Sequence, residues 1–138
     1  ANITDVIRVA IAQIQGANFE PTHVVLNPAD VAAMQLTKTN TGEYTYPMFL
    51  MDVNKVANLI VVPTTNIAAG TFLVGDFSKS NVRMREAMNV QVGYVNDDFQ
   101  RNMVTILAEA RLVQYVKAND YPAFVAGDIA ACIALIND

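Results

Sequence analysis

DDFQRNMVTILAEARLVQYVKANDYPAFVAG, residues 97–127, is the stretch whose reading decides the fold. Within it, Met103–Val116 fits either a helix or one long strand by length alone. Alternation favours the strand. Val104, Ile106, Ala108, Ala110, Leu112 and Gln114 fall on one side and are mostly apolar, whereas the other side mixes Thr105 and Glu109 with Leu107 and Val113. After Lys117 the polar run breaks at Pro122, and Ala123-Phe124-Val125 predicts a further short strand or bend. The closing stretch IAACIALI, residues 129–136, fits a helical turn or a strand, and periodicity leaves both open.

Reading back towards the amino terminus, β-rich segments continue at Val82–Met84 and Val90–Val95, with polar turns between them. Thr71–Asp76 predicts a strand entered through the Ala69-Gly70 turn, and Val56–Val62 (VANLIVV) predicts another that stops at Pro63. Thr37–Pro47 is polar, carries Gly42 and has the composition of a loop. His23–Leu26 predicts a short strand. The following Asn27-Pro28-Ala29-Asp30 then opens a helix to about Leu36: Asn27 accepts from the first free amides, Pro28 occupies a position needing no donor, and Asp30 suits the positive helix end. At the start, Ile3, Val6, Ile7, Ala10, Ile11 and Ile14 recur at three- and four-residue steps, an amphipathic helix over Ile3–Gln15 with Gly16 as its stop.

Composition narrows the function. Hydrophobic residues make up 53% and charged residues 16% of the 138, against about 25% charged in an ordinary globular chain. Disorder is thereby disfavoured, and part of the apolar excess is expected against partner chains. The net charge of −4 argues against tight phosphate binding, and the nine basic residues are scattered. Arg83 and Arg85 are the nearest grouping, two apart and on one side of a strand, which fits a solvated edge. Cys132 stands alone, so neither a disulfide framework nor a thiolate metal cluster is expected. No window reaches the run of about 18 apolar residues that a membrane span needs, and a cytosolic setting is the expectation.

Candidates for chemistry each have a plainer rival. His23 is the sole histidine, without an Asp or Cys at motif spacing, and reads as structural. Gly70 to Gly75 lacks the Lys and Ser/Thr of a phosphate loop and reads as turn and strand-break glycines. Asp97-Asp98 are adjacent carboxylates that point apart on extended chain, and read as a solvated turn. Cys132 lies among alanines and isoleucines, where a thiol behaves as a small apolar group. Asn102 and Glu109 are seven apart, which on one regular strand is roughly 23 Å and opposite faces. Joint chemistry between them would need two copies of the chain; singly they read as a turn residue and a salt-bridge acceptor.

Four stretches in this order carry a resemblance: ITDVIRVAIAQIQ (3–15), VVLNPADVAAMQLTKTNTGEYTYP (24–47), VVPTTNIAAGTFLVGDF (61–77) and the quoted residues 97–127. Together they resemble the shell-forming region of tailed-bacteriophage major capsid proteins, the Hong Kong ninety-seven-like fold. The resemblance implies an α+β chain, a mixed sheet flanked by helices plus a long carboxy-terminal strand. It places an axial-type domain at residues 1–95, the return strand of a peripheral-type domain at 96–127 and a tail at 128–138. The family's amino-terminal arm, extended loop and spine helix have no counterpart among the four stretches.

The resemblance further implies a structural head protein of a phage or prophage, with no enzymatic activity, cofactor, metal or small-molecule substrate. Copies would join as pentamers and hexamers into an icosahedral shell enclosing DNA without sequence-specific binding, assembled in the host bacterial cytoplasm and not associated with a membrane. The alternative is the shell protein of a non-viral encapsulating compartment with the same fold. A small hydrolase or ligand-binding domain is a third class, which a deep pocket around His23 would favour. In cross-linking members of the family, the position matching Asn102 accepts a lysine from another subunit and the position matching Glu109 acts as base. That chemistry needs a neutral lysine attacking a side-chain amide, with a carboxylate to take its proton.

Overall fold

Asn2 sets the first element. Its side chain accepts from the Asp5 amide while the Asp5 carboxylate accepts from the Asn2 amide, a reciprocal cap that satisfies two donors at the start of α1 (Ile3–Gly16). The computed structural model describes residues 1–45 and 54–137. Helix α1 runs through Gly16 rather than stopping before it, and Asn18 takes the left-handed conformation that ends the turn. The chain then forms β1 (His23–Leu26), α2 (Pro28–Gln35), β2 (Lys55–Val56), β3 (Leu59–Pro63), β4 (Thr71–Gly75), β5 (Ser80–Gly93), β6 (Thr105–Val116), β7 (Phe124–Asp128) and α3 (Ile129–Asn137).

These elements belong to two compact units, Ala1–Lys79 with Lys117–Asp138, and Ser80–Val116. The first holds a five-stranded sheet in the order β2-β3-β1-β4-β7, in which β1 and β3 are parallel and the other pairs antiparallel. The chain is therefore α+β with a mixed sheet, as expected. Val24, Leu26, Leu59, Val61, Phe72 and Val74 point from the strands into one cluster with Val6, Ile7, Ala10, Ile11 and Ile14 of α1, Val31 and Met34 of α2, and Ile129 of α3. Each such fully buried aliphatic chain stabilises by about 1.5–3 kcal/mol, so this cluster holds the unit together. The alternate strand residues His23, Val25, Ile60, Val62 and Leu73 point to the opposite face and stay half-buried or exposed.

Several predicted elements change in detail. The run Val56–Val62 is two strands, because Ala57 and Asn58 both adopt positive φ (48° and 68°) and fold a two-residue hairpin between β2 and β3. The predicted loop Thr37–Pro47 holds a small Lys38 to Tyr44 bridge around Gly42, and its residues 46 and 47 lie outside the described residues. Val82–Met84 and the first part of Val90–Val95 join in the single strand β5, which ends at Gly93 and leaves Tyr94 and Val95 outside it. The open choice at residues 129–136 resolves to helix, α3, whose start is capped by Asp128 accepting from the Ala131 amide at 2.9 Å. Gly75 is required for packing: a Cβ there would lie 2.3 Å from the Phe124 ring.

The second unit is a two-stranded antiparallel ribbon of β5 and β6. Its long strand β6 is the segment that alternation assigned. From Met84 to Asn89 β5 takes five steps where β6 takes three, from Leu112 to Glu109, so both extra residues bulge from β5. The position 95/96, where the sequence placed a domain boundary, lies in the connection between these paired strands.

Candidate functional site

Pairing across the ribbon sorts its side chains. Val82, Met84, Val90 and Val92 of β5 stand opposite Gln114, Leu112, Ala108 and Ile106 of β6, and Ala110 shares their side. That face is apolar along nearly its whole length, ending at Ser80, whose hydroxyl accepts from Gln114 at 2.6 Å. The six large residues Val82, Met84, Val90, Val92, Ile106 and Leu112 are 58% to 68% exposed within this chain. The other face is mixed: Arg83, Glu86, Asn89, Gln91, Glu109 and Arg111 share it with Leu107, Val113 and Tyr115, and Glu86 meets Arg111 at 3.6 Å. Arg85 falls at the first bulge, so the alternation expected to align it with Arg83 is interrupted there.

Asn102 and Glu109 sit in different parts of this unit. Asn102 is in the tip before β6, in the left-handed conformation (φ 56°), with its amide donating to the Phe99 carbonyl at 3.4 Å. Glu109 stands in the ladder opposite Asn89. Thr105, already nearer than Asn102, is four strand residues from Glu109, about 13 Å.

The tip itself, residues 94–104, is the feature that sequence reading missed. Asp97 and Asp98 are engaged rather than merely solvated. Asp97 Oδ2 meets Arg101 Nε at 2.6 Å, and one oxygen of Asp98 accepts from both the Thr105 hydroxyl (2.6 Å) and the Val95 amide (3.0 Å). The Thr105 hydroxyl, then the Val95 amide, hold the Asp98 carboxyl below the usual aspartate range, and slight burial opposes them. The available signal was the spacing of Asn96, Asp97, Asp98 and Asn102, residues that favour side-chain-capped turns.

In the first unit the remaining candidates take structural positions. His23 Nδ1 lies 2.8 Å from the Thr22 hydroxyl and its ring meets Phe77 edge-on at 5.6 Å. The cavity beside it, about 250 Å³, is lined by His23, Val25, Val62 and Phe77, so His23 is its one polar lining residue among the described residues. Gly70 adopts φ +82° in a turn, and its amide donates to Asp30 Oδ2 at 2.8 Å. Asn27 does more than cap α2: beyond accepting from Ala29, it donates to the Ile67 carbonyl at 2.9 Å. Cys132 lines an apolar cavity of about 380 Å³ with Val6, Phe72 and Leu135. Among the described residues, no three His, Cys, Asp or Glu side chains group to hold a metal, and no helix is long and apolar enough to cross a membrane.

A family model described as the phage capsid family matches residues 1–129. The chain belongs to the phage capsid family. It is 41% identical over 112 residues to the major capsid protein of Enterobacteria phage HK97, covering 78% of this chain and 29% of that protein. Among solved structures, a chain from Mycobacterium phage Ogopogo superimposes with TM-score 0.67 at 17% identity, over 90% of this chain and 48% of the other. The capsid of an empty GTA particle computed with C5 symmetry superimposes with TM-score 0.66 at 18% identity, over 87% of this chain and 40% of the other. These likenesses establish the shared fold. This chain thus spans less than half the length of each of these relatives.

Proposed function

We propose that this chain is the shell-building part of a phage or prophage head protein, which assembles with copies of itself into rings of five and six and thence into an icosahedral shell around DNA. The observation that carries the reading is the ribbon's exposed apolar face: six large aliphatic or thioether side chains in one row need a covering surface. The 41% identity to a phage head protein favours a phage shell over a non-viral compartment. The first unit is proposed as the axial-type domain, with the ribbon belonging to the peripheral-type domain. An acidic chain with scattered cations suits enclosing a genome without gripping it. The shell is placed in the virion, after assembly in the host cytoplasm.

Light scattering and electron microscopy of the protein at its full length test the reading. Rings or shells are expected; a stable monomer that turns over a small substrate overturns it. Subunits are proposed to join without covalent chemistry, so denaturing electrophoresis of particles should give single bands. A ladder abolished by Asn102→Asp would instead assign a cross-link to Asn102, with Glu109 as its base.

A further inference from the structure

Helix α3 is fastened firmly at one end only. At its foot the Ile129 amide donates to the Gly70 carbonyl at 2.8 Å, the Ile129 side chain is buried in the core, and Asp128 caps the first turn through the Ala131 amide. One turn on, Cys132 and Ile133 pack partly buried against the same core. The last turn differs. Leu135 is 75% and Ile136 38% exposed, and Asn137 Oδ1 accepts from the Ala1 amino group at 2.7 Å, a bond between exposed groups. That turn borders the apolar cavity of about 380 Å³. Val6 and Ala10 of α1 line it as buried residues, Val9 of α1 stands at its rim 44% exposed, and Cys132, Leu135 and Ile136 line it from α3. A trapped water needs two to four polar partners, and among the described residues Gln13 and the Cys132 thiol are the polar side chains of the lining. The match to the phage capsid family ends at residue 129, the foot of this helix.

We propose that α3 is a lid hinged at Asp128 and Ile129, which rolls towards α1 so that Leu135 and Ile136 enter the cavity and cover Val9. Helical spacing sets the direction of the roll. Ile129, Cys132, Ile133 and Ile136 follow at three- and four-residue steps and form the face turned to the core; Leu135, three past Cys132, lies on the flank of that face. A roll towards that flank brings Leu135 inward while Ile129 keeps its seat. Closing takes apolar surface of both helices out of water, which drives the movement, and leaves the small side chains of Ala130, Ala131 and Ala134 outward. The groove along α1 is then open to an apolar partner only while the lid is raised.

Cys132 lines the cavity, so its thiol reports the position of the lid. In the whole chain, iodoacetamide should alkylate Cys132 about tenfold or more slowly than in the urea-unfolded chain. Nuclear Overhauser contacts should join the methyl groups of Leu135 and Val9. Leu135→Ala removes the side chain that fills the cavity and should speed alkylation roughly fivefold or more, because the closed position loses apolar burial. Val9→Ala should act in the same direction by less, and Ala130→Ser, on the outward side, should leave the rate unchanged. Absence of the Leu135 to Val9 contact in the unmodified chain, or an alkylation rate that Leu135→Ala does not alter, overturns the lid. So does protection of the thiol that appears only when benzene is added, because the cavity then takes a guest in place of Leu135.

Discussion

Val74 and Val92 are the same residue in the same kind of structure, and they have opposite fates: 0% exposed in β4 of the first unit, 68% exposed in β5 of the ribbon. The first unit covers one face of its sheet with its own helices. The ribbon, equally alternating, has nothing of its own to lay over its apolar side. The contrast separates two uses of one sequence pattern. Period-two alternation specifies a strand with a dry face, but not whether the dryness is supplied within the chain or from outside it.

The sharpest way to break that contrast is the same deletion in both regions. Ile14→Ala in α1 should lower unfolding free energy by about 3 kcal/mol, as a fully buried aliphatic truncation does. Ile106→Ala in β6 should change it by less than about 0.5 kcal/mol in the isolated chain. Denaturant unfolding of both variants measures the difference; equal losses would mean the ribbon is already covered in solution. Next in size is Gly75→Ala. Its new methyl group must displace Phe124 and also lies 3.1 Å from the Ala123 carbonyl, so a loss of about 1–3 kcal/mol is expected by thermal unfolding.

What was legible in the sequence follows the same division. The α1 face, the Asn27 cap and the strand over Met103–Val116 were readable because each rests on local periodicity or on one residue's backbone chemistry. The β2–β3 hairpin was hidden, since Ala57 adopts positive φ without belonging to the residues that favour it. The helix at 129–136 was open because its residues are apolar all round, which erases the period. The polar contacts that matter most were hidden for a different reason. The Asn27 bond to Ile67 and the Asp30 bond to Gly70 each span forty positions, and no pattern of neighbours announces a partner that distant. Asn102 and Glu109 were weighed as a pair seven apart, with a joint role supplied only by the resemblance, and the fold sets them in a turn and a ladder respectively.

A smaller effect tests whether Asn27 acts as more than a cap. Asn27→Ala should cost about 1 kcal/mol, the usual loss on removing a helix cap. Asn27→Ser keeps an oxygen for the Ala29 amide but loses the carboxamide NH2 that reaches the Ile67 carbonyl, its one shorter hydroxyl being taken up by the cap, so thermal unfolding should recover most of the stability. The 64–70 connection should then remain more open to protease than in the unmodified chain. Full recovery on both measurements would reduce Asn27 to its cap.

The smallest effect is confined to the ribbon tip and is read by acid titration. Asp98 is held below the ordinary aspartate range in the folded chain, so its contribution is fully present above the unfolded value, about 4, and is lost as pH falls through the lower folded value. The Val95 amide resonance, which reports the bond to Asp98, should therefore stay unshifted through the pH at which a free aspartate titrates and move only in stronger acid. The other charged groups of the tip are Asp97 and Arg101, paired with each other, so a variant that leaves them intact isolates the signal. In Asp98→Asn the late step should vanish while the amide remains bonded to the carboxamide oxygen. A Val95 step at the ordinary aspartate pH in the unmodified chain would mean that the carboxylate makes no lasting bond there, and that the ribbon's tip is as unsupported in solution as its apolar face.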